Sequence, residues 1–282
     1  MKYSVEVNDY PVHDLPNLHF LAADQGAVFG DHRSIHRINF YAIVWFLENG
    51  GLHYVDFEPF PIRKDDVYLI GSNQLHAIPS ATVPKARVIV FSSEFFDRIE
   101  EFHFRQLFLP IHNEGTAIPP DMVQPLHQLF ELIVLEYKGR INIPLLLKYT
   151  TAFLTHIYRF RTENPAIALS EDHRVIHVLR LLEENFKEHH SATFYAKELG
   201  LTPKRINELL RQQMNTTISQ LVYTLLLAEA KRTLFHHELS IKEIAYDLGF
   251  TNQSYFARFF RKYTGMAPEK FRAHAADMLL TA

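Results

Sequence analysis

Ile244 to Arg272 reads IAYDLGFTNQSYFARFFRKYTGMAPEKFR. Just upstream, Ser240 offers an N-cap, and Ile241, Ile244, Ala245 and Leu248 fall on one face of a short helix. Gly249 then supplies the left-handed residue that ends it. Phe250 is expected to bury beneath the turn, and Asn252 to cap a second helix through its side-chain oxygen. That second helix hides Phe256, Phe259 and Phe260, three and four residues apart. It turns Gln253, Ser254, Ala257, Arg258, Arg261 and Lys262 outward. Helix, tight turn, basic helix is the order of a helix-turn-helix, whose second helix enters the major groove with polar side chains near its N-terminus meeting base edges.

A diverged copy of this unit lies upstream. Tyr195 to Leu221 reads YAKELGLTPKRINELLRQQMNTTISQL. Ala196 and Gly200 precede Ala245 and Gly249 by 49 residues, whereas Arg211 and Asn215 precede Arg261 and Gly265 by 50, so the second turn has gained one residue. Thr202 and Pro203 form an N-cap followed by proline at the first helical position. Ile206, Leu209 and Leu210 make the buried face, leaving Lys204, Arg205, Asn207, Glu208 and Arg211 outside. Between the copies, Ile218 to Phe235 has no Gly or Pro and reads as one linking helix. Such a spacer would hold the two second helices over successive major-groove segments, about 34 Å apart. His236 and His237 close it; adjacent helical positions point about 100° apart, which favours a charge role at the helix C-terminus over metal ligation.

These residues resemble the signature of the AraC/XylS family of bacterial transcription regulators. The resemblance is carried by Ile244, Ala245, Gly249, Phe250, Ser254, Tyr255, Phe256, Arg258, Phe260, Arg261, Lys262, Gly265, Pro268, Phe271 and Arg272. Ala267 departs from it, since Ser or Thr usually precedes that proline. An N-cap hydroxyl is worth ~1 kcal/mol over Ala, so the last helix should start less firmly. In the first copy, Asn215 replaces the usual Gly and Leu226 a common Arg. The resemblance implies a sequence-specific regulator of double-stranded DNA. Arg258 is the first candidate for a base contact, because a guanidinium pairs with guanine O6 and N7. Gln253 and Ser254 follow, with Lys204 and Asn207 from the first copy. Arg211, Tyr255, Arg261, Lys262 and Arg272 are expected to hold phosphates.

Composition is compatible with this once charge is divided along the chain. The 282 residues carry a formal charge of −3. Residues 170–282 hold 15 Lys/Arg against 13 Asp/Glu, and Thr251 to Arg272 holds five basic residues and one acidic. Local charge, not net charge, meets phosphate. The absence of cysteine excludes disulfides and thiolate-bound metals and suits a reducing cytoplasm. The opening MKYSVEVNDYPVHD lacks a signal-peptide core, and no apolar run approaches the ~20 residues of a membrane span. A cytoplasmic location with no membrane partner is expected.

Residues 1 to about 115 alternate polar and apolar residues between Gly, Pro and Asn breaks. Candidate strands are Leu18 to Ala22, Asn39 to Glu48, Gly51 to Phe57, Val67 to Gly71 and Lys85 to Phe91, with Glu48-Asn49-Gly50-Gly51 as a hairpin signal. Short strands and tight turns suggest a jelly roll or small barrel. Their order is similar to the cupin-like sensor domain of AraC-type regulators. An effector site is expected around His36, Tyr41, Trp45 and His76. Only His36 and His76 fall near cupin ligand positions, and Ile38 stands where a paired His would be, so neither metal nor other cofactor is expected. Asp121 to Tyr137 and Asn142 to Arg161 read as helices broken at Lys138-Gly139-Arg140; in the family such helices form a homodimer interface.

The whole is expected to be an α+β chain. A cupin-like β-barrel with packed helices for effector binding and dimerisation spans 1–162, a linker 163–170, and an all-α DNA-binding domain with two helix-turn-helix units 171–282. No nucleophile elbow, P-loop or dinucleotide fingerprint occurs, so no enzymatic activity is expected. The alternative is a cupin-type small-molecule-binding protein or metalloenzyme whose helical tail serves association; salt-dependent, sequence-selective duplex binding separates the two.

Overall fold

The computed structural model describes residues 12–13, 20–24, 36–79, 84–164 and 167–280. Most of the opening segment, the start of the first candidate strand at Leu18 and His19, and linker residues 165 and 166 lie outside them. The chain divides into two compact units, Val12–Ile167 and Ala168–Ala282.

The first unit is β-rich. Its described strands are β1 (Val12–His13), β2 (Phe20–Asp24), β3 (His36–Ile38), β4 (Tyr41–Phe46), β5 (Leu52–Val55), β6 (Glu58–Pro61), β7 (Asp66–Ile70), β8 (Leu75–Ala77), β9 (Ala86–Phe91) and β10 (Thr116–Ala117). They form two five-stranded sheets, ordered β1-β3-β8-β5-β6 and β10-β7-β4-β9-β2. The pairing is antiparallel except between β1 and β3. The β architecture is as expected; its closure is not, because the hydrogen bonding leaves two open sheets rather than one ring. A single core joins them, taking Ile38 and Val55 from one sheet and Ala42, Val44, Phe46, Ile70, Val88 and Val90 from the other.

Residues 48–51 are not a hairpin. β4 pairs with β7 and β9 while β5 pairs with β6 and β8, so this Gly-rich segment carries the chain between sheets. The two-residue hairpin comes one strand later, at Asp56-Phe57, where Val55 faces Glu58. Both turn residues have positive φ, 48° and 70°, as a type I′ turn requires. Neither is Gly or Asn, so sequence gave no signal for it. The Asp56 carboxylate accepts hydrogen bonds from Gln74 Nε2 (2.8 Å) and the Leu75 amide (3.2 Å), which fixes the turn against β8.

Helices cover the outer face of the second sheet, so β4 and β7 are buried along nearly their whole length. They are α1 (Ser93–Phe96), a 3-10 turn at Phe102–Phe108, α2 (Pro120–Lys138) and α3 (Ile143–Thr162). Asn142 caps α3 by accepting from the Leu145 amide. Arg161 closes it from inside: buried, it donates to Thr116 Oγ1 (2.7 Å) and to the carbonyls of His112 (3.2 Å) and Glu114 (3.1 Å). Burial lowers its pKa to about 10, which leaves it charged at neutral pH.

The second unit is helical: α4 (His173–Asn185), α5 (Ala192–Glu198), α6 (Pro203–Met214), α7 (Ile218–His236), α8 (Ile241–Asp247), α9 (Gln253–Thr264) and α10 (Pro268–Leu280). The expected signals act as read. Thr202 caps α6 ahead of Pro203, Ser240 and Glu243 make a reciprocal capping box on α8, and Asn252 caps α9. Gly200, Asn215, Gly249 and Gly265 all take the left-handed conformation. An ion-pair cluster ties three elements together, with Lys187 Nζ 2.9 Å from Asp247 and 3.4 Å from Glu229, and Arg232 3.5 Å from Glu229.

Candidate nucleic-acid interface and sheet cavity

α5 and α6 repeat as α8 and α9. Ala192 and Ile241, which begin the first helices, are 49 residues apart, and Pro203 and Gln253, which begin the second, are 50 apart. The added residue therefore lies in the second unit's turn. Both second helices are twelve residues long, and each buries three apolar side chains at matching positions: Ile206, Leu209 and Leu210, then Phe256, Phe259 and Phe260. At ~100° per residue the opposite face centres on the second, sixth and ninth positions. These are Lys204, Glu208 and Arg211 in α6, and Ser254, Arg258 and Arg261 in α9.

In α9, Gln253, Ser254, Arg258, Arg261 and Lys262 are exposed, and Tyr255 is half-exposed with its ring against Phe250. No carboxylate among the described residues pairs with Arg258 or Arg261, so both guanidinium groups face solvent with their donors open. In α6, Lys204 and Arg211 are exposed. Glu208 lies 3.4 Å from Arg205 and 4.0 Å from Lys204, which adds an acidic centre to this face.

Two expected DNA contacts are engaged elsewhere. Asn207 spends both ends of its amide inside the unit: Nδ2 donates to the Pro203 carbonyl (3.1 Å), and Oδ1 accepts from the Ile218 amide (3.0 Å) that opens α7. Arg272 donates from Nη2 to the Leu239 carbonyl (2.7 Å) in the turn between α7 and α8. Both side chains organise the scaffold. His237, expected to place charge at the end of α7, is instead the left-handed residue that stops it. Burial and nearby Arg272 lower its pKa, which disfavours the charged form.

In the first unit, a cavity of about 30 Å³ lies between the sheets, lined by His36, His53, His76, Ile38, Ala42 and Val44 among others. His36 and His76 are directly opposite across β3 and β8, with ring centroids 4.0 Å apart. His53 adds a third ring, 5.6 Å from His76. It is fully buried and neither ring nitrogen has a hydrogen-bond partner. Burial, reinforced by His36, lowers its pKa to about 3, so it is neutral at physiological pH. Strand parity could have found it, since His53 shares the inward face of β5 with Val55.

Parity also removes Tyr41 and Trp45 from this site. On β4 the even-numbered Ala42 and Val44 point into the cavity, and their odd neighbours point away. Tyr41 packs on Phe91, Phe96 and Phe108. Trp45 stacks on His127 of α2 at 4.2 Å and meets Phe153 of α3. Among the described residues no group of three or more His, Cys, Asp and Glu side chains is placed to hold a metal ion.

Comparison with known proteins agrees with the C-terminal geometry. A family model described as a helix-turn-helix domain matches residues 195–274, which spans α6 to α9. An HTH-type transcriptional regulator of Bacillus subtilis, YfiF, is 23% identical over 99% of this chain and 91% of its own length. The HTH-type transcriptional activator RhaR of Escherichia coli K12 is 24% identical over 90% of this chain and 94% of its own.

Residues 195–274 carry a helix-turn-helix domain, and the relatives matched along most of the chain are HTH-type transcription regulators.

Among solved structures, ToxT from Vibrio cholerae aligns over 90% of this regulator and 98% of its own chain, at 15% identity and a TM-score of 0.46. Within the regulator's described residues no helix is long and apolar enough to cross a membrane.

Proposed function

We propose that the regulator reads two successive major-groove segments of one operator with α6 and α9, under control of a small molecule bound by residues 1–162. The observation that carries this reading is the pair of matched, outward-facing second helices joined by one 19-residue helix, α7. Gln253, Ser254 and Arg258, with Lys204, meet base edges; Arg211, Tyr255, Arg261 and Lys262 meet phosphates.

The cavity between the sheets is the candidate effector site, and the rings of His36, His53 and His76 are its polar groups. Its present volume of about 30 Å³ admits one or two waters, whereas drug-sized ligands need ~300 Å³ or more. Effector entry therefore requires the sheets to part, which links binding to a shape change. An effector acts only through its different affinity for DNA-competent and incompetent arrangements. Homodimerisation is supported by Leu132, Leu135 and Ile141, apolar side chains left exposed on α2 and just after it. Residues 163–170 serve as linker and 171–282 as the DNA-binding domain. The reading describes a cytoplasmic regulator rather than an enzyme.

The experiment compares full-length protein with a fragment starting at Ser170, using gel shift against an operator selected from random duplexes, together with hydrodynamic mass. The expected result is a full-length dimer, and a monomeric fragment that still binds one site more weakly. A full-length monomer, or a folded fragment that ignores the operator, contradicts the proposal.

A further inference from the structure

The two reading helices differ most at their centre. Both run twelve residues, and each position on α6 has its counterpart fifty residues later on α9. The sixth position, in the middle of the outward face, is Arg258 in α9 and Glu208 in α6. A guanidinium carries only donors, whereas an ionised carboxylate carries only acceptors. The same place on the same scaffold thus faces DNA with opposite charge and opposite hydrogen-bonding sense.

The major groove offers complementary targets. Guanine presents the acceptors O6 and N7, which suit Arg258. Donors come only from cytosine N4 and adenine N6, and adenine sets its N7 lone pair beside the amino group, where it repels a carboxylate. Cytosine is the base that a glutamate fits. An acidic side chain aimed at DNA without a donor to meet is repelled by phosphates, yet Glu208 occupies the centre of the face. Its neighbours position it: Arg205 Nη1 lies 3.4 Å and Lys204 Nζ 4.0 Å from its oxygens, so the part-exposed carboxylate sits in a basic surround.

We propose that Glu208 is a specificity-determining residue that selects cytosine in the major-groove segment read by α6, as the counterpart of Arg258 and guanine one helical turn away. The proposal rests on the docking of both helices described under the proposed function.

The test selects binding sites for the full-length protein from a randomised duplex library and repeats the selection with Glu208→Ala, Glu208→Gln and Arg258→Ala. Wild type is expected to enrich a cytosine about ten base pairs from a column that Arg258→Ala erases. Glu208→Ala should erase the cytosine preference, a discrimination of roughly tenfold or more, and leave the Arg258 column intact. Glu208→Gln should move the preference to adenine, which an amide matches at N6 and N7. Persistence of the cytosine in Glu208→Ala overturns the proposal. So does equal tightening on every duplex by both Glu208 variants, which would mean that the carboxylate only tempers charge. Failure of the wild type to enrich any sequence refutes the docking of α6 and α9 itself, and is recognised by loss of the Arg258 column as well.

Discussion

The two helix-turn-helix units share a backbone plan but secure it differently. In the first unit, the N–H of Ile218 opens α7 and needs an acceptor, which Asn207 supplies from α6. Fifty residues on, the corresponding positions are Pro268 and Ala257. Proline has no N–H to satisfy, so no amide side chain is required, and alanine suffices. The cap changes in step: Thr217 accepts from Gln220 in the first unit, while its counterpart is Ala267. The second unit recovers elsewhere, with a reciprocal capping box on α8 and the Arg272 tie to Leu239. One repeat can therefore keep its fold while exchanging some of the devices that hold it, provided each backbone donor is paired or removed together with its partner.

The largest expected difference between the units concerns their turn glycines. Gly249 and Gly200 both have positive φ, 73° and 65°. A Cβ at Gly249 would stand 2.0 Å from the Lys187 carbonyl oxygen, a backbone atom held by the Lys187 ion pairs, whereas a Cβ at Gly200 meets nothing within 4 Å. Gly249→Ala should cost about 3 kcal/mol or more, from the left-handed conformation plus the clash. Gly200→Ala should cost about 1 kcal/mol, from conformation alone. Urea unfolding of both variants checks this; equal losses would break the comparison.

Asn207→Ala should cost about 1–2 kcal/mol by stranding a buried amide. Its mirror, Ala257→Asn, should change stability by less than about 0.5 kcal/mol. Asn207→Ala should also leave base preference unaltered, because the amide is already engaged. A single-base change in preference from Asn207→Ala would return that residue to the DNA-reading set.

A buried group outside the repeat sharpens the same lesson about pairing. His53 has no hydrogen-bond partner on either nitrogen and a pKa lowered from 6.5 to about 3. Between those values the unfolded chain binds the proton and the folded chain does not, so stability falls as pH falls. The slope is at most about 1.4 kcal/mol per pH unit, and nothing is lost above 6.5. His53→Leu should flatten that acid dependence in thermal melts taken from pH 7 to pH 4. An unchanged slope would mean that the histidine is protonated in the fold.

The remaining expected effects lie on the reading faces and show in binding rather than in stability. Arg258→Ala should weaken specific binding by ~1–3 kcal/mol and relax preference at one base pair. Arg261→Ala should weaken all duplexes alike and reduce the salt slope by about 1. Competition against single-base operator variants separates them.

Most of the C-terminal unit was legible because its signals are local. Caps, left-handed glycines and the three-four spacing of Phe256, Phe259 and Phe260 each act within one turn of chain. What escaped there was long-range: the Asn207 bond to Ile218 spans eleven residues and the Arg272 bond to Leu239 spans thirty-three. Exposure of a polar side chain does not reveal whether its hydrogen bonds are already committed. In the β-rich unit, strand positions are readable but sheet membership is not: a Gly-rich crossover carries a hairpin's sequence signal, while the hairpin at Asp56-Phe57 has neither Gly nor Asn to mark it. His53 was within reach, because strand alternation alone separates it from Tyr54 and, on β4, sets Tyr41 and Trp45 against Ala42 and Val44.

The central claim is that both second helices occupy the major groove of one operator. Dimethyl sulfate protection and hydroxyl-radical footprinting of full-length protein on its selected duplex test this most directly. The account predicts two major-groove segments protected on one face of the DNA, about ten base pairs apart, with Arg211→Ala exposing one and Arg261→Ala the other. A single protected segment, weakened by Arg261→Ala and indifferent to Arg211→Ala, would contradict it.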